Sequence, residues 1–165
     1  MEKPLSYFDW ELHFRNSPNP AHQDTLSQED FQLKEAFKNL LRCFSKRESI
    51  IRSGGILSSQ FNFLNMNLKN GIINCVINNQ SLEEFKIQVN KKKKFINHKC
   101  QEFRNLNKFK KYFCSHLIRL FFILKEIDIK NTNELLKHIS THDYDFFPKI
   151  KSKKGLKSLN WTARN

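Results

Sequence analysis

Apolar residues change their spacing along the chain, and each change predicts a new element. Phe8, Trp10, Leu12 and Phe14 alternate with polar neighbours, as in a strand or an extended arm whose large side chains must dock on something. Asn16 to Pro20 reads as a loop. Leu33, Phe37, Leu40, Leu41 and Phe44 then fall at i, i+4, i+7, i+8 and i+11, the stripe of an amphipathic helix. Ser27 and Asp30 form a capping box with a short acidic partner, and Glu29 and Asp30 suit the positive end of the helix dipole. Lys46, Arg47 and Arg52 load the last turns before Gly54 and Gly55 stop the helix.

Residues 61–78 switch to alternation. Leu64, Met66 and Leu68, then Ile73, Cys75 and Ile77, flank Asn70-Gly71, a strong signal for a β-hairpin. From Ser81 the spacing becomes helical again, with Ser81 and Glu84 as a second capping box. Leu82, Phe85, Val89, Ile96, Phe103, Leu106, Phe113, Leu117, Leu120, Leu124 and Ile127 recur near a 3.5-residue period. One helix of that length is out of range for a globular domain, so the pattern predicts two helices broken near Asn105–Asn107 and folded back on each other. A short helix follows, with Asn131 as N-cap and Leu135, Leu136 and Ile139 facing inward.

The expected fold is therefore mainly α: a bundle of about four helices with one small β-hairpin (61–78), an extended aromatic N-terminal arm and a basic C-terminal tail. Residues 1–26 form the arm and its Pro loop, 27–147 a single mainly helical core, and 148–165 the tail. The chain has 165 residues, 39% of them hydrophobic, with 16 Phe and only 4 Gly and 4 Pro. It has material for a real core and few breaks, so it is not a disordered polycation. Its longest apolar stretch, Leu120 to Leu124, cannot span a bilayer, and Met1 is not followed by a signal-peptide pattern. Four cysteines at 43, 75, 100 and 114 show no CxxC and no disulfide framework. These features together predict an intracellular protein, cytoplasmic or nuclear.

Charge changes the picture more than composition does. The formal net charge is +13, and residues 91–165 carry 19 Lys/Arg against 6 Asp/Glu, so the whole excess lies there. Such asymmetry points to a polyanionic partner. Only 7 of the 29 basic residues are Arg. Arg is the residue that reads guanine and phosphate in bidentate fashion, so backbone contact by lysine ammonium groups is expected and base readout is not. A low-GC genome also enriches Lys, Asn, Ile and Phe without selection for binding, so charge alone decides nothing.

The candidate nucleic-acid-binding residues are Lys91, Lys92, Lys93, Lys94 and Lys99, then Arg104, Lys108, Lys110 and Lys111, then Lys151, Lys153, Lys154 and Lys157 with Trp161 in the tail. A helical hairpin would bring the first two groups together as one patch. Phe95, Phe109 and Tyr112 interleave with them, as core rings or as stacking platforms for unpaired bases.

Two groups offer metal-ligand chemistry. His98 and Cys100, then Cys114 and His116, form a mirrored HxC and CxH pair whose donors suit zinc. Within helices, residues two apart point about 200° from one another, and in one straight helix the cysteines would lie about 21 Å apart. Helical context thus argues against a shared site, and buried Cys with half-exposed His is the expected arrangement. His138 and His142 are spaced i, i+4, with Asp143 and Asp145 beside them, but a histidine-bearing helix end accounts for them as well. No cofactor is expected, and no nucleophile, phosphate-loop or metalloprotease motif is present.

The expected function is a non-enzymatic, sequence-tolerant nucleic-acid-binding or ribonucleoprotein accessory subunit, with DNA or RNA as partner. The alternative is a protein-interaction module (an inhibitor, adaptor or effector) gripping a protein through Phe8, Trp10 and Phe14 while the lysines only solubilise it.

Overall fold

A computed structural model describes residues 27–78, 84–107 and 110–147. The aromatic arm with Phe8, Trp10 and Phe14, the tail with Lys151, Lys153, Lys154, Lys157 and Trp161, and Lys108 lie outside the described residues. The described chain folds as α1 (Gln28–Cys43), α2 (Arg47–Ser53), β1 (Phe61–Asn67), β2 (Ile72–Asn78), β3 (Glu84–Asn90), β4 (Phe95–His98), α3 (Gln101–Leu106), α4 (Ser115–Ile127), α5 (Ile129–Thr141) and β5 (Asp145–Phe147). A mixed five-stranded sheet ordered β1-β2-β3-β4-β5 replaces the expected helical bundle. The first four strands form an antiparallel meander, and β5 returns beside β4 in parallel after the three helices. The protein is α/β, and the mainly α expectation is overturned.

The difference lies in residues 84–98, while Ser81 and Leu82 of the expected helix start lie outside the described residues. Phe85, Val89 and Ile96 fit a helical period, but Phe85, Ile87 and Val89 also alternate with Lys86, Gln88 and Asn90, and that period governs β3. Ile87, Val89, Ile96 and His98 are buried on one face with Ile73, Cys75, Ile77 and Phe146. The hairpin over 61–78 is present, as the first two strands of the larger sheet.

Two turns of the same design close the meander. Asn67 Oδ1 accepts the Asn70 N–H at 3.0 Å and Gly71 N donates to Leu68 O at 3.0 Å. Asn90 Oδ1 likewise accepts the Lys93 N–H at 2.8 Å and Lys94 N donates to Lys91 O at 3.3 Å. Each turn ends on a residue in the left-handed region, Gly71 at φ +62° and Lys94 at φ +51°. The turns touch, since Lys91 N donates to Gly71 O at 2.9 Å. The four lysines thus sit in a hairpin turn, not along a helix.

The helices cover the buried sheet face. Ser27 caps α1 as expected, its Oγ accepting the Asp30 N–H at 3.3 Å, but the helix stops at Cys43 and restarts at Arg47. Phe37, Leu41 and Phe44 supply its buried stripe. Leu117, Ile118, Leu120, Phe121 and Leu124 bury α4 on most of its circumference, so this segment is a core helix and offers no free amphipathic face. The N-cap of α5 is Asp128, three residues before the expected Asn131, and Leu135, Leu136 and Ile139 are buried as expected. No helix among the described residues is long and apolar enough to cross a membrane.

A Cβ on Gly71 would lie 2.5 Å from Lys91 Cβ and 3.1 Å from Leu135 Cδ1, at a φ that L side chains rarely adopt. Gly71→Ala should therefore cost about 1–3 kcal/mol, while Lys94→Gly should be neutral or stabilising by up to about 1 kcal/mol. Chemical denaturation midpoints of the two variants check this contrast, and equal destabilisation would contradict it.

Candidate functional site

Two features outside ordinary core packing stand out, at opposite ends of β4. One is the cluster that sequence reasoning set aside. The donor atoms of His98, Cys100, Cys114 and His116 all lie within 4.8 Å of one another. The helical objection fails because neither pair lies wholly in a helix. His98 ends β4 and Cys100 has extended backbone at φ −111°, ψ 159°, so side chains two apart fall on one side. Cys100 is the N-cap of α3 and Cys114 the N-cap of α4, with His116 the second residue of α4.

The chain between the cysteines supplies the fold-back. Asn107 Nδ2 donates to Phe103 O at 2.8 Å and to Tyr112 O at 2.9 Å, and its Oδ1 accepts the Tyr112 N–H at 2.8 Å. Phe113 N donates to Phe44 O at 2.7 Å, anchoring the residue before Cys114 to the end of α1. Glu102 Oε2 accepts the Ser115 N–H at 3.0 Å, tying the first turns of α3 and α4 together.

His98 is wholly buried. Its Nδ1 lies 3.0 Å from Lys86 O and its Nε2 lies 3.4 Å from His116 Nδ1. A carbonyl can only accept, so Nδ1 carries the proton and Nε2 presents a lone pair to the cluster. Phe103 N–H donates to Cys100 Sγ at 3.2 Å. A hydrogen bond from the Cys114 thiol, with help from His116 and His98, holds the Cys100 thiol well below its ordinary range, and burial pushes Cys114 up. Phe85 and Phe103 flank the histidines, with Phe85 5.3 Å from the His116 ring and Phe103 5.7 Å from that of His98.

The second feature is the lysine-bearing end of the sheet and the face beside it. Lys92, Lys93 and Lys94 are exposed in their turn, and Lys69 is exposed in the neighbouring one. The sheet face opposite the helices carries Asn65, Asn74, Gln88, Asn97 and Phe147 in one register row. Asn67, Ile72, Asn90, Phe95 and Asp145 form the next row. None of these ten is buried. Asn97 Nδ2 donates to Gln88 Oε1 at 3.1 Å, and Phe95 meets Phe147 edge to face at 6.2 Å.

Among the described residues, the cations of the nine-member patch expected from a helical hairpin are not gathered in one place. Lys91 to Lys94 sit at the start of β4, whereas Lys99 and Arg104, both exposed, follow its far end. Lys111 pairs with Asp143 and donates to Tyr144 O. Lys110 lies 5.1 Å from the Tyr112 ring. The open face itself was not read from the sequence, because its register depends on strands taken for a helix.

His138 and His142 do not join a third ligand in any such cluster among the described residues. Their rings stack at 3.8 Å, His138 Nδ1 lies 2.7 Å from Tyr144 OH, and His142 Nδ1 lies 3.0 Å from His138 O. Burial lowers the His138 pKa, and the charges of His142, Lys91 and Lys94 lower it further. Burial pushes Tyr144 up to about 12, so its hydroxyl remains a donor to neutral His138.

Comparison with protein-family models, with curated proteins and with solved structures finds no match.

Because the folded pKa of His138 lies below its ordinary 6.5, the unfolded chain takes up this proton first. The stabilisation from neutral His138 is complete above about pH 6.5 and declines as pH falls through that value. Histidine titration by NMR should place His138 below 6.5, and Lys91→Gln or Lys94→Gln should move it upward. A midpoint above 6.5 in the wild type would contradict this electrostatic picture.

Proposed function

We propose that the protein binds single-stranded nucleic acid, with little sequence preference, across the open face of its sheet. The observation that carries this reading is the junction of the lysine turn with that face. Phe95 leaves the four-lysine turn directly and lies half-buried on the open face beside Asn90, in a row that runs on through Ile72 to exposed Asn67. An unpaired strand needs cations for its phosphates and flat or hydrogen-bonding groups for its bases. The turn and the face supply both within one register row. Amide groups can pair with the edges of any base, and the scarcity of Arg removes the usual bidentate readers.

A protein partner is favoured by a different observation. β1 is a sheet edge, its register shifts between Phe63 and Asn65, and Leu64 there is 60% exposed with Met66 nearby also exposed. An edge strand with protruding apolar side chains suits strand addition by another chain.

Salt titration separates the two. If Lys92, Lys93 and Lys94 each meet a phosphate, their joint replacement by Gln should flatten the log Kd against log salt slope by about two for a single strand. Lys91 is left in place because its side chain packs against Gly71. Phe95→Leu should weaken binding by about 1–3 kcal/mol through lost stacking. Fluorescence anisotropy with unrelated oligonucleotides checks both. Absence of binding in roughly 50 mM salt, where phosphate contacts are strong, would leave the edge-strand reading in front.

A further inference from the structure

We propose that His98, Cys100, Cys114 and His116 bind one Zn²⁺ in a closed tetrahedral site that rivets the end of β4 to the N-termini of α3 and α4. Tetrahedral zinc holds His nitrogen at about 2.0–2.1 Å and Cys sulfur at about 2.3 Å. Such bonds place neighbouring ligands roughly 3.3–3.8 Å apart, the tetrahedral edge being about 1.6 bond lengths. The His98 Nε2 to His116 Nδ1 separation of 3.4 Å already fits that edge, and the four donors within 4.8 Å need only a small contraction. So small a cluster fits one ion, and a bridged iron–sulfur centre would hold its ligands farther apart.

The surroundings are those of a metal site and not of a chance contact. Lys86 O fixes the tautomer that leaves His98 Nε2 unprotonated toward the centre, the usual partner arrangement for a ligating imidazole. The Phe103 N–H points to Cys100 Sγ, as backbone donors do to metal-bound thiolates. Cys114 begins a 13-residue helix, whose positive end favours a thiolate. Three of the four residues are buried, and phenylalanine rings flank both histidines.

On binding, both cysteines ligate as thiolates and form S–Zn bonds, any proton still on a thiol passing to solvent, while both imidazoles bind in the neutral form. The product carries no net charge, which suits its buried position. Two nitrogens and two sulfurs complete the coordination, so no position stays open for a substrate, and the role is structural. The spacing, HxC and CxH with 13 residues between the cysteines, differs from paired CxxC knuckles because a strand end and two helix N-caps supply the ligands. The site lies at the end of β4 away from the lysine turn, so the proposal is independent of nucleic-acid binding.

The test uses the untagged full chain, purified in reducing, chelator-free buffer. Elemental analysis should give about one zinc per chain and no other transition metal, and native mass spectrometry should show one zinc in place of two protons. Exchange with Co²⁺ should produce intense visible d–d bands of tetrahedral cobalt and a near-ultraviolet thiolate charge-transfer band. Removing zinc with a strong chelator should lower the melting midpoint by roughly 10 °C or more, with recovery on adding zinc. His116→Ala changes the half-exposed ligand and should retain the fold while weakening zinc affinity by at least about 100-fold. Failure of the reduced wild-type chain to hold or take up zinc, a different metal at full occupancy, or cobalt spectra without thiolate absorption would each overturn the proposal. So would undiminished zinc in a folded Cys100→Ser, Cys114→Ser variant.

Discussion

A stack of phenylalanine rings centred on Phe113 holds the separate parts of this fold in place. Phe113 lies nearly parallel to Phe44 at 4.8 Å, to Phe121 at 5.1 Å and to Phe146 at 6.2 Å. Phe146 in turn stacks on Phe103 at 5.6 Å. These rings come from the end of α1, from α3, from α4, from β5 and from the loop before α4. Aromatic burial supplies more energy per residue than any other side-chain type. Its geometry here also sets position, because Cys114 follows Phe113 directly and Cys100 caps the helix that carries Phe103. The tetrad of sulfur and nitrogen donors is placed by apolar packing around it.

That dependence separates what was legible in the sequence from what was not. Local signals were readable: the Ser27 cap, the Phe37–Leu41 stripe, the hairpin at Asn70-Gly71 and the inward face of Leu135, Leu136 and Ile139. Each needs only neighbours a few residues away. Residues 84–98 were misread because their apolar positions satisfy two periods, and the turn that would have decided the matter has lysine where glycine is usual. The missed clue was Asn90, which stands four residues before Lys94 as Asn67 stands before Gly71. A lysine in left-handed backbone leaves no compositional trace.

The tetrad was legible as a set of residue types and illegible as a site. Its pairing requires a strand end beside one helix start, then a return of the chain clamped by Asn107 at both Phe103 and Tyr112. The mistaken helix turned a correct geometric rule against four residues that the fold in fact brings together. The lysine cluster failed in the opposite direction. Its charge was plain, but the expected patch joined Lys91 to Lys94 with Lys99 and Arg104, which lie at the other end of β4.

The parallel pairing of β5 with β4 has a kinetic consequence. Phe95 and its partner Asp145 are separated by three helices, whereas each of β2 to β4 starts within about six residues of the end of the strand before it. Closing that long loop costs more chain entropy than closing either hairpin, and non-local parallel pairing is slow. The antiparallel meander can therefore form early, while β5 docks only after α3, α4 and α5 have assembled. During synthesis the fifth strand is also the last described segment to emerge, so the Phe146 pocket stays open to solvent until the end. A nascent chain stalled before Phe146 would expose the rings of Phe103 and Phe113, and chaperone engagement is expected to fall in that interval.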